Sequence, residues 1–306
     1  MPIKINENLP ACNTLAAENI FVMTDARAEQ QDIRPLKILI LNLMPTKEVT
    51  ETQLLRCLSN TPLQIEPEFL ITSTYNPRNT SAQHLTNFYK TFDEVKNTRF
   101  DGAIITGAPV EQMDFDQVTY WKELCEILDW AKTNVFSSLF ICWGAQAALY
   151  HYYKIAKTPL PEKIFGVFEH TIADQTIPLF RGFDDVFNVP HSRYTTIDTV
   201  DIEKHPELNV LSTSKVAGLY VAASKDERQI FVTGHPEYDA CTLDAEYKRD
   251  IAKGMDIAMP QNYYPNNDPE QTPIMNWRSN ASLFYSNWLN YYVYQNVPFN
   301  LNEPLG

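Results

Sequence analysis

No apolar run in this chain approaches the ~20 residues that a helix needs to cross a bilayer, so a helical membrane span is excluded. The opening stretch, Met1 to Asn8, has no signal-peptide core, and a cytoplasmic protein is expected. Positive charge is scarce: 25 Lys and Arg against 38 Asp and Glu give a formal net charge of −13. That disfavours nucleic acid and anionic membrane as partners, although an anionic small molecule needs only a local basic patch. The five cysteines (Cys12, Cys57, Cys125, Cys142 and Cys241) are scattered, odd in number and without Cys-x-x-Cys spacing. They fit a reducing compartment and carry no zinc signature. The six histidines are equally dispersed, and no metal is expected. Internal repeats and low-complexity segments are absent too. What remains is 306 residues, 44% of them hydrophobic, enough for one large core.

The apolar pattern alternates strands with helices. Lys37–Leu43, Ile65–Thr72, Phe100–Thr106 and Val135–Ile141 read as buried strands. Helices are expected from Pro45 to about Ser59 with Thr46 as N-cap, over Asn87–Asn97, over Asp116–Lys132, and over Cys241–Met255. Such alternation implies parallel crossover units, and hence an α/β fold with a mostly parallel sheet flanked by helices. From about Lys157 to Tyr220 the chain becomes richer in Pro, Phe and short apolar stretches, as expected for an antiparallel extension. Leu208–Thr213, Ala217–Ala223 and Gln229–Thr233 are its last strands. Asn276–Gln295 reads as a final helix with an aromatic stripe, better suited to core or subunit contact than to a cofactor. An N-terminal arm over residues 1–34 and a single domain over 35–306 are expected.

The segment from Ser138 to Ala148 (SLFICWGAQAA) carries the sharpest chemical signal. An apolar strand stops at Cys142, a glycine follows two residues later, and small residues continue as a helix. This is the strand–turn–helix logic of a nucleophile elbow, with sulfur in place of oxygen. The free N–H groups of a helix N-terminus favour negative charge on such a sulfur and can hold an oxyanion, with the Trp143 N–H as first donor. Taken alone, a cysteine closing a buried strand is more often packing than chemistry. A second strand end changes that balance. Gln229 to Thr233 runs into Gly234-His235-Pro236-Glu237. Pro236 favours extended backbone, so His235 and Glu237 share a face. Cys142, His235 and Glu237 then read as nucleophile, base and orienter. Because function in open α/β sheets gathers beyond the carboxyl ends of strands, Lys47, Gly107–Glu111, Cys142 and His235 are expected in one site.

Cys142-Trp143-Gly144-Ala145-Gln146 with His235-Pro236-Glu237 resembles the class I glutamine amidotransferases, except that Phe140 stands where those enzymes usually carry glycine. A closer resemblance runs over nearly the whole chain, to the homoserine O-acyltransferase family of methionine biosynthesis, which uses an amidotransferase-like (flavodoxin-like) fold. It rests on Leu41–Lys47, Thr106–Glu111, Phe140–Gln146, Pro190–Tyr194 and Gly234–Tyr238. The resemblance implies transfer of an acyl group from acyl-coenzyme A to L-homoserine through an acyl-Cys142 intermediate. It implies no cofactor beyond the acyl-CoA co-substrate, and a homodimer. It assigns Lys47 to the active site and Lys163, Ser192 and Arg249 to substrate. From the residues alone, Lys47 and Arg249 would pass as exposed basic residues and Glu111 as a surface glutamate. In this family the position of Glu111 separates acetyl from succinyl donors, with glutamate going with acetyl. The expectation is therefore a homoserine O-acetyltransferase. Homoserine O-succinyltransferase, a glutamine amidotransferase and a catalytically silent binding protein are the alternatives.

Overall fold

Apolar runs that lack a polar alternate face must be covered on both sides, and the strands of this chain are covered in that way. The computed structural model describes residues 3–6, 8–18, 22–23, 34–74 and 79–297. In chain order the elements are β1 (Ile3–Lys4), α1 (Ala11–Ala17), β2 (Val22–Met23), β3 (Leu36–Leu41), α2 (Lys47–Leu58), β4 (Ile65–Leu70), α3 (Ala82–Phe88) and β5 (Tyr89–Lys90). Next come α4 (Phe92–Val95), β6 (Phe100–Ile105), α5 (Trp121–Asn134), β7 (Val135–Ile141), α6 (Trp143–Tyr153), β8 (Thr158–Ile172), β9 (Val186–Thr196) and α7 (Thr199–Lys204). The last are β10 (Leu208–Ser214), β11 (Gly218–Ser224), β12 (Gln229–Val232), α8 (Thr242–Ala252) and α9 (Arg278–Asn287).

β5, β4, β3, β6, β7 and β12 lie side by side in that order, all parallel. β11, β10, β8 and β9 continue the same sheet antiparallel, which is the expected extension. Period-2 alternation distributes the strand residues between two cores. Ile38, Ile40, Ile104, Leu139 and Ile141 face Leu54, Leu55 and Leu58 of α2 and Phe284, Tyr285 and Trp288 at the C-terminal end. Leu39, Leu41, Ala103, Ile105 and Phe140 face Leu124, Ile127 and Leu128 of α5 and Ala147, Ala148 and Leu149 of α6. The aromatic stripe of the last helix is therefore core: Trp277, Phe284 and Trp288 are buried, and the Trp288 indole N–H donates to Ser137 Oγ at 3.0 Å. No described helix is long and apolar enough to cross a membrane.

Four neighbouring parallel strands deliver the expected site residues to one edge. β3 leads to Asn42 and Lys47, β6 to Gly107 and Glu111, β7 to Cys142, and β12 to His235.

Three local expectations change. The helix read over Asn87–Asn97 is instead α3, β5 and α4 in succession. Tyr89 pairs with Phe69 at the sheet edge, and a Thr91–Glu94 capping box starts a new helix straight after it. The helix read from Asp116 begins at Trp121, after a single 3₁₀ turn over Phe115–Gln117. The final helix becomes π-helical over Trp288–Tyr294. Thr46 does precede α2, but its hydroxyl makes no capping bond; its carbonyl accepts from the Thr50 N–H and hydroxyl.

Gly144 shows how tightly α6 is seated on the sheet. A Cβ there would lie 2.6 Å from the Thr106 carbonyl oxygen and 2.8 Å from that of Ile105. Both obstacles are backbone, so they cannot swing aside. Gly144→Ala is therefore expected to destabilise the fold by about 1–3 kcal/mol through overpacking, read as a lower urea midpoint at unchanged slope.

Candidate active site

Cys142 occupies the N-cap of α6 with φ 50° and ψ −116°, a conformation that costs a non-glycine residue ~1–3 kcal/mol. Its own N–H is spent on the Val232 carbonyl at 2.7 Å, so it is not available as an oxyanion donor. The Trp143 N–H, in the first turn, has no intrahelical acceptor. The Trp143 indole points the other way, into the core near Phe115 and Tyr120. That turn thus presents a thiol and backbone donors, with side-chain bulk kept behind it.

His235 Nδ1 bonds Glu237 Oε1 at 2.8 Å, and the same ring lies within the electrostatic influence of Cys142. With Nδ1 committed to the carboxylate, Nε2 is the nitrogen left for sulfur. The imidazole stacks on Tyr238, 4.1 Å between centroids and 14° from parallel. Its backbone N–H donates to Pro190 O at 2.9 Å. Cys142 is 6% exposed and His235 3%. Burial opposes the charged form of His235. The charges of Cys142 and Glu237, with the hydrogen bond to Glu237, outweigh it and lift the imidazole well above its ordinary range. An imidazolium held there stabilises negative charge on the neighbouring sulfur. Gly107 leaves room for the pair: a Cβ on it would lie 3.3 Å from Cys142 Cβ and 3.7 Å from His235 Cε1.

Glu111 hydrogen-bonds the Tyr194 backbone and receives the Thr195 hydroxyl at 3.4 Å. Burial raises its carboxyl group, partly offset by those bonds and by the charges of Lys163 and His235. Lys163, Ser192 and Arg249 gather around two acids of α8. Ser192 Oγ donates to Glu246 Oε2 at 2.5 Å, and the Lys163 ammonium lies 3.6 Å from Glu246 and 3.8 Å from Asp250. Arg249 grips Asp250 with two bonds of 2.7 and 3.0 Å. Tyr238 joins the two groups, stacking on His235 while its hydroxyl donates to Glu246 at 3.1 Å.

Lys47 stands apart from the sulfur. It starts α2 at the end of β3, two strands or ~10 Å across the sheet from β7. Its ammonium is 1% exposed and donates to Asn42 O at 2.5 Å and Met44 O at 3.1 Å. Burial pulls it down to about 8, opposed by the charge of Glu51.

Sequence reasoning missed several residues beside this site. Tyr238 and Glu246 had a signal, being next to Glu237 and one helical turn before Arg249. Arg193 had none. It is fully buried on β9, donates to the carbonyls of Thr195 and Ala217, and leaves Nε without a hydrogen-bond partner among the described residues. Burial lowers it to about 10, against the charges of Cys142 and Glu111. His170 and His191 also stack beneath the base, their Nε2 atoms 3.0 Å apart. Among the described residues no group of His, Cys, Asp and Glu could hold a metal ion.

Comparison with known proteins decides the family. The model of the homoserine O-succinyltransferase family matches residues 2–299. The chain belongs to that family. It is an acyltransferase-family enzyme, 61% identical over 303 residues to a homoserine O-acetyltransferase of Brevibacillus brevis, covering 99% of each chain. Homoserine O-acetyltransferases of Acetivibrio thermocellus and Petrotoga mobilis are each 59% identical over 303 residues, covering 99% of this chain and 99% and 98% of theirs. Among solved structures, a glutamine amidotransferase of Thermotoga maritima superposes with TM-score 0.53 at 12% identity, covering 84% of this chain and 98% of that one. One from Methylobacillus flagellatus gives 0.50 at 13%, covering 84% and 95%. These two establish the amidotransferase-like fold.

The histidine pair has a consequence for acid stability. His170 Nδ1 donates to Phe168 O at 2.8 Å, so its Nε2 accepts from His191. Burial holds His170 at about 3 against an ordinary 6.5, and drives His191 well below that value with help from Arg193, His170 and His235. Between pH 6.5 and 3 the unfolded chain takes up protons that the folded one refuses. Stability should therefore fall as pH falls, by ~1.4 kcal/mol per unit for each such group. Urea unfolding from pH 7.5 to 5 is expected to show a shallower pH dependence in His170→Gln than in the parent.

Proposed function

We propose that the enzyme moves an acetyl group from acetyl-CoA to the hydroxyl of L-homoserine, giving O-acetyl-L-homoserine and CoA in methionine biosynthesis. The observation that carries this reading is the Glu237–His235 hydrogen bond beside a buried Cys142 at a strand–helix turn. Membership of a homoserine acyltransferase family supplies the substrates.

The Cys142 sulfur attacks the thioester carbonyl of acetyl-CoA. The carbonyl oxygen becomes an oxyanion, held by the Trp143 N–H with Lys47 adding positive charge at the site. Collapse breaks the bond to the CoA sulfur, and His235 protonates the departing thiolate. One thioester has replaced another, so this half-reaction is close to balanced. Homoserine then binds, His235 takes its hydroxyl proton, and the alkoxide attacks acetyl-Cys142. Cys142 leaves and the ester is released. Glu237 orients His235 and stabilises its charged form.

Lys163, Ser192 and Arg249 hold homoserine in this reading. The Arg249 guanidinium matches the amino-acid carboxylate, and the nearby Glu246 matches the ammonium. Glu111 sets the donor. A carboxyl group in the acyl pocket occupies space and repels the terminal carboxylate of a succinyl group. The chemistry calls for no resident cofactor. We place the enzyme in the cytoplasm, as a homodimer, on the family resemblance.

Mixing the enzyme with acetyl-CoA alone should add one acetyl mass to the peptide containing Cys142. Cys142→Ala should lose both that adduct and turnover, by ~10⁴-fold or more. Acylation elsewhere, or ammonia released from glutamine without ester formation, would overturn the assignment. Glu111→Gly should raise kcat/KM for succinyl-CoA relative to acetyl-CoA roughly tenfold, the worth of ~1.4 kcal/mol of removed repulsion. An unchanged ratio would remove Glu111 from donor selection.

A further inference from the structure

Behind Lys47 lies a chain of buried polar groups that the reaction above does not use. Glu51, one turn further along α2, is 0% exposed and on the same helix face. It accepts the Tyr89 hydroxyl at 2.6 Å and His84 Nε2 at 2.9 and 3.1 Å. The Tyr89 hydroxyl in turn receives Asn42 Nδ2 at 2.9 Å. Asn42 closes the circuit, since its backbone oxygen accepts the Lys47 ammonium, and its Nδ2 reaches back to the Lys47 carbonyl at 3.4 Å. The Tyr89 ring faces the ammonium at 5.8 Å from its centroid.

These groups come from the end of β3, from α2, and from α3 with β5. The stretch that departs from its expected helix supplies Tyr89, and α3 just before it supplies His84. Ser81 caps α3 by accepting the His84 N–H at 3.1 Å, which fixes that residue against Glu51. Beyond it, Glu48 lies 3.9 Å from His84 Nδ1. Of the titratable groups on these elements, Glu51, Tyr89, His84 and Glu48 are joined to one another, whereas Arg56 pairs with Glu18 and Asp239 and Lys90 with Glu68.

A buried, partly satisfied polar network is costlier than an apolar core, so one that is closed and kept needs a reason. The Lys47 ammonium supplies it, because its direct partners are two neutral carbonyls and burial alone would favour losing its proton. We propose that Asn42, Glu51, His84 and Tyr89 form a positioning unit for Lys47, in which Glu51 supplies the negative charge that keeps the ammonium protonated and Tyr89 with Asn42 fixes its place. His84 holds the Glu51 carboxylate in the orientation that Tyr89 needs. This rests on the reading in which Lys47 serves the reaction as a cation.

The test is the pH profile of kcat/KM for acetyl-CoA in the full-length enzyme, with folding checked by the urea midpoint. With Glu51→Gln, the alkaline limb should move down by about one pH unit, so that activity at pH 8.5 falls roughly tenfold relative to its own optimum. Glu51→Asp keeps the charge and should keep the limb where the parent has it. Tyr89→Phe keeps the charge and loses the bridge, so it should lower kcat without moving the limb. An alkaline limb unmoved in Glu51→Gln, while Lys47→Met abolishes turnover, would overturn the proposal and leave the role of Lys47 intact. Full turnover by Lys47→Met would remove both the unit and the role it supports.

Discussion

A single backbone hydrogen bond, from the Cys142 N–H to the Val232 carbonyl, fixes the relation between the two halves of the site. It is the last rung of the parallel ladder in which Ile141 faces Val232. One residue beyond that rung, β7 has to turn into α6, while β12 continues as Thr233-Gly234-His235. Cys142 and His235 therefore leave the sheet from the same register, and neither depends on a long loop for its position. The positive φ of Cys142 follows from the same rung. The strand cannot bond Val232 and enter a helix at the next residue without a sharp reversal. The close seating of Gly144 on the Thr106 and Ile105 carbonyls holds the reversal from the other side.

Burial acts in opposite directions on neighbouring imidazoles, and the partners decide the sign. His235, His191 and His170 are all buried, and burial disfavours the cation in each. Beside His235 stand Glu237 and Cys142, whose negative charge reverses the outcome. Beside His191 stand Arg193 and two other imidazoles, which reinforce it. The base therefore carries its proton in the folded state. That contribution to stability is complete below pH 6.5 and is lost as pH rises through its raised value, opposite to the two histidines beneath it. A neutral His191 also avoids adding a second cation that would be repelled by a charged His235.

The parallel part of the sheet and the Cys142, His235, Glu237 set were legible because each rests on a short local pattern. Leu36–Leu41 and Val135–Ile141 are mostly apolar, interrupted only by Lys37 and by Ser137 and Ser138, and a strand covered on both faces explains such runs. His235-Pro236-Glu237 carries its own geometry through proline. The stretch read as a helix over Asn87–Asn97 was not legible. Its periodicity suggests one helix, but Tyr89 is claimed by Glu51, 38 residues earlier, and by an edge pairing to Phe69. Tertiary contacts of that range leave no trace in a local window. Arg193 and the His170–His191 pair were hidden for a related reason. A strand read as an antiparallel extension gives no sign that its inward face is polar. Lys163, Ser192 and Arg249 became plausible only through family resemblance, and they meet because α8 presents Glu246 and Asp250 to β8 and β9.

The two-step transfer we propose has a requirement that a hydrolytic reaction lacks: the acyl-cysteine must outlast its exposure to water until an alcohol arrives. Water is present at far higher concentration than any metabolite, so selectivity must come from exclusion and positioning rather than from intrinsic reactivity. The burial of Cys142, His235 and Glu237 serves that end, and so does stacking of the base on Tyr238. The cost is a set of charges held in a water-poor place. Each finds its answer close by: Glu237, two residues on, for His235, the α8 acids for Lys163, and Glu51, one helical turn on, for Lys47. The polar groups on the catalytic edge are thus a consequence of keeping water out, because a site that excluded solvent without them could not keep these side chains ionised.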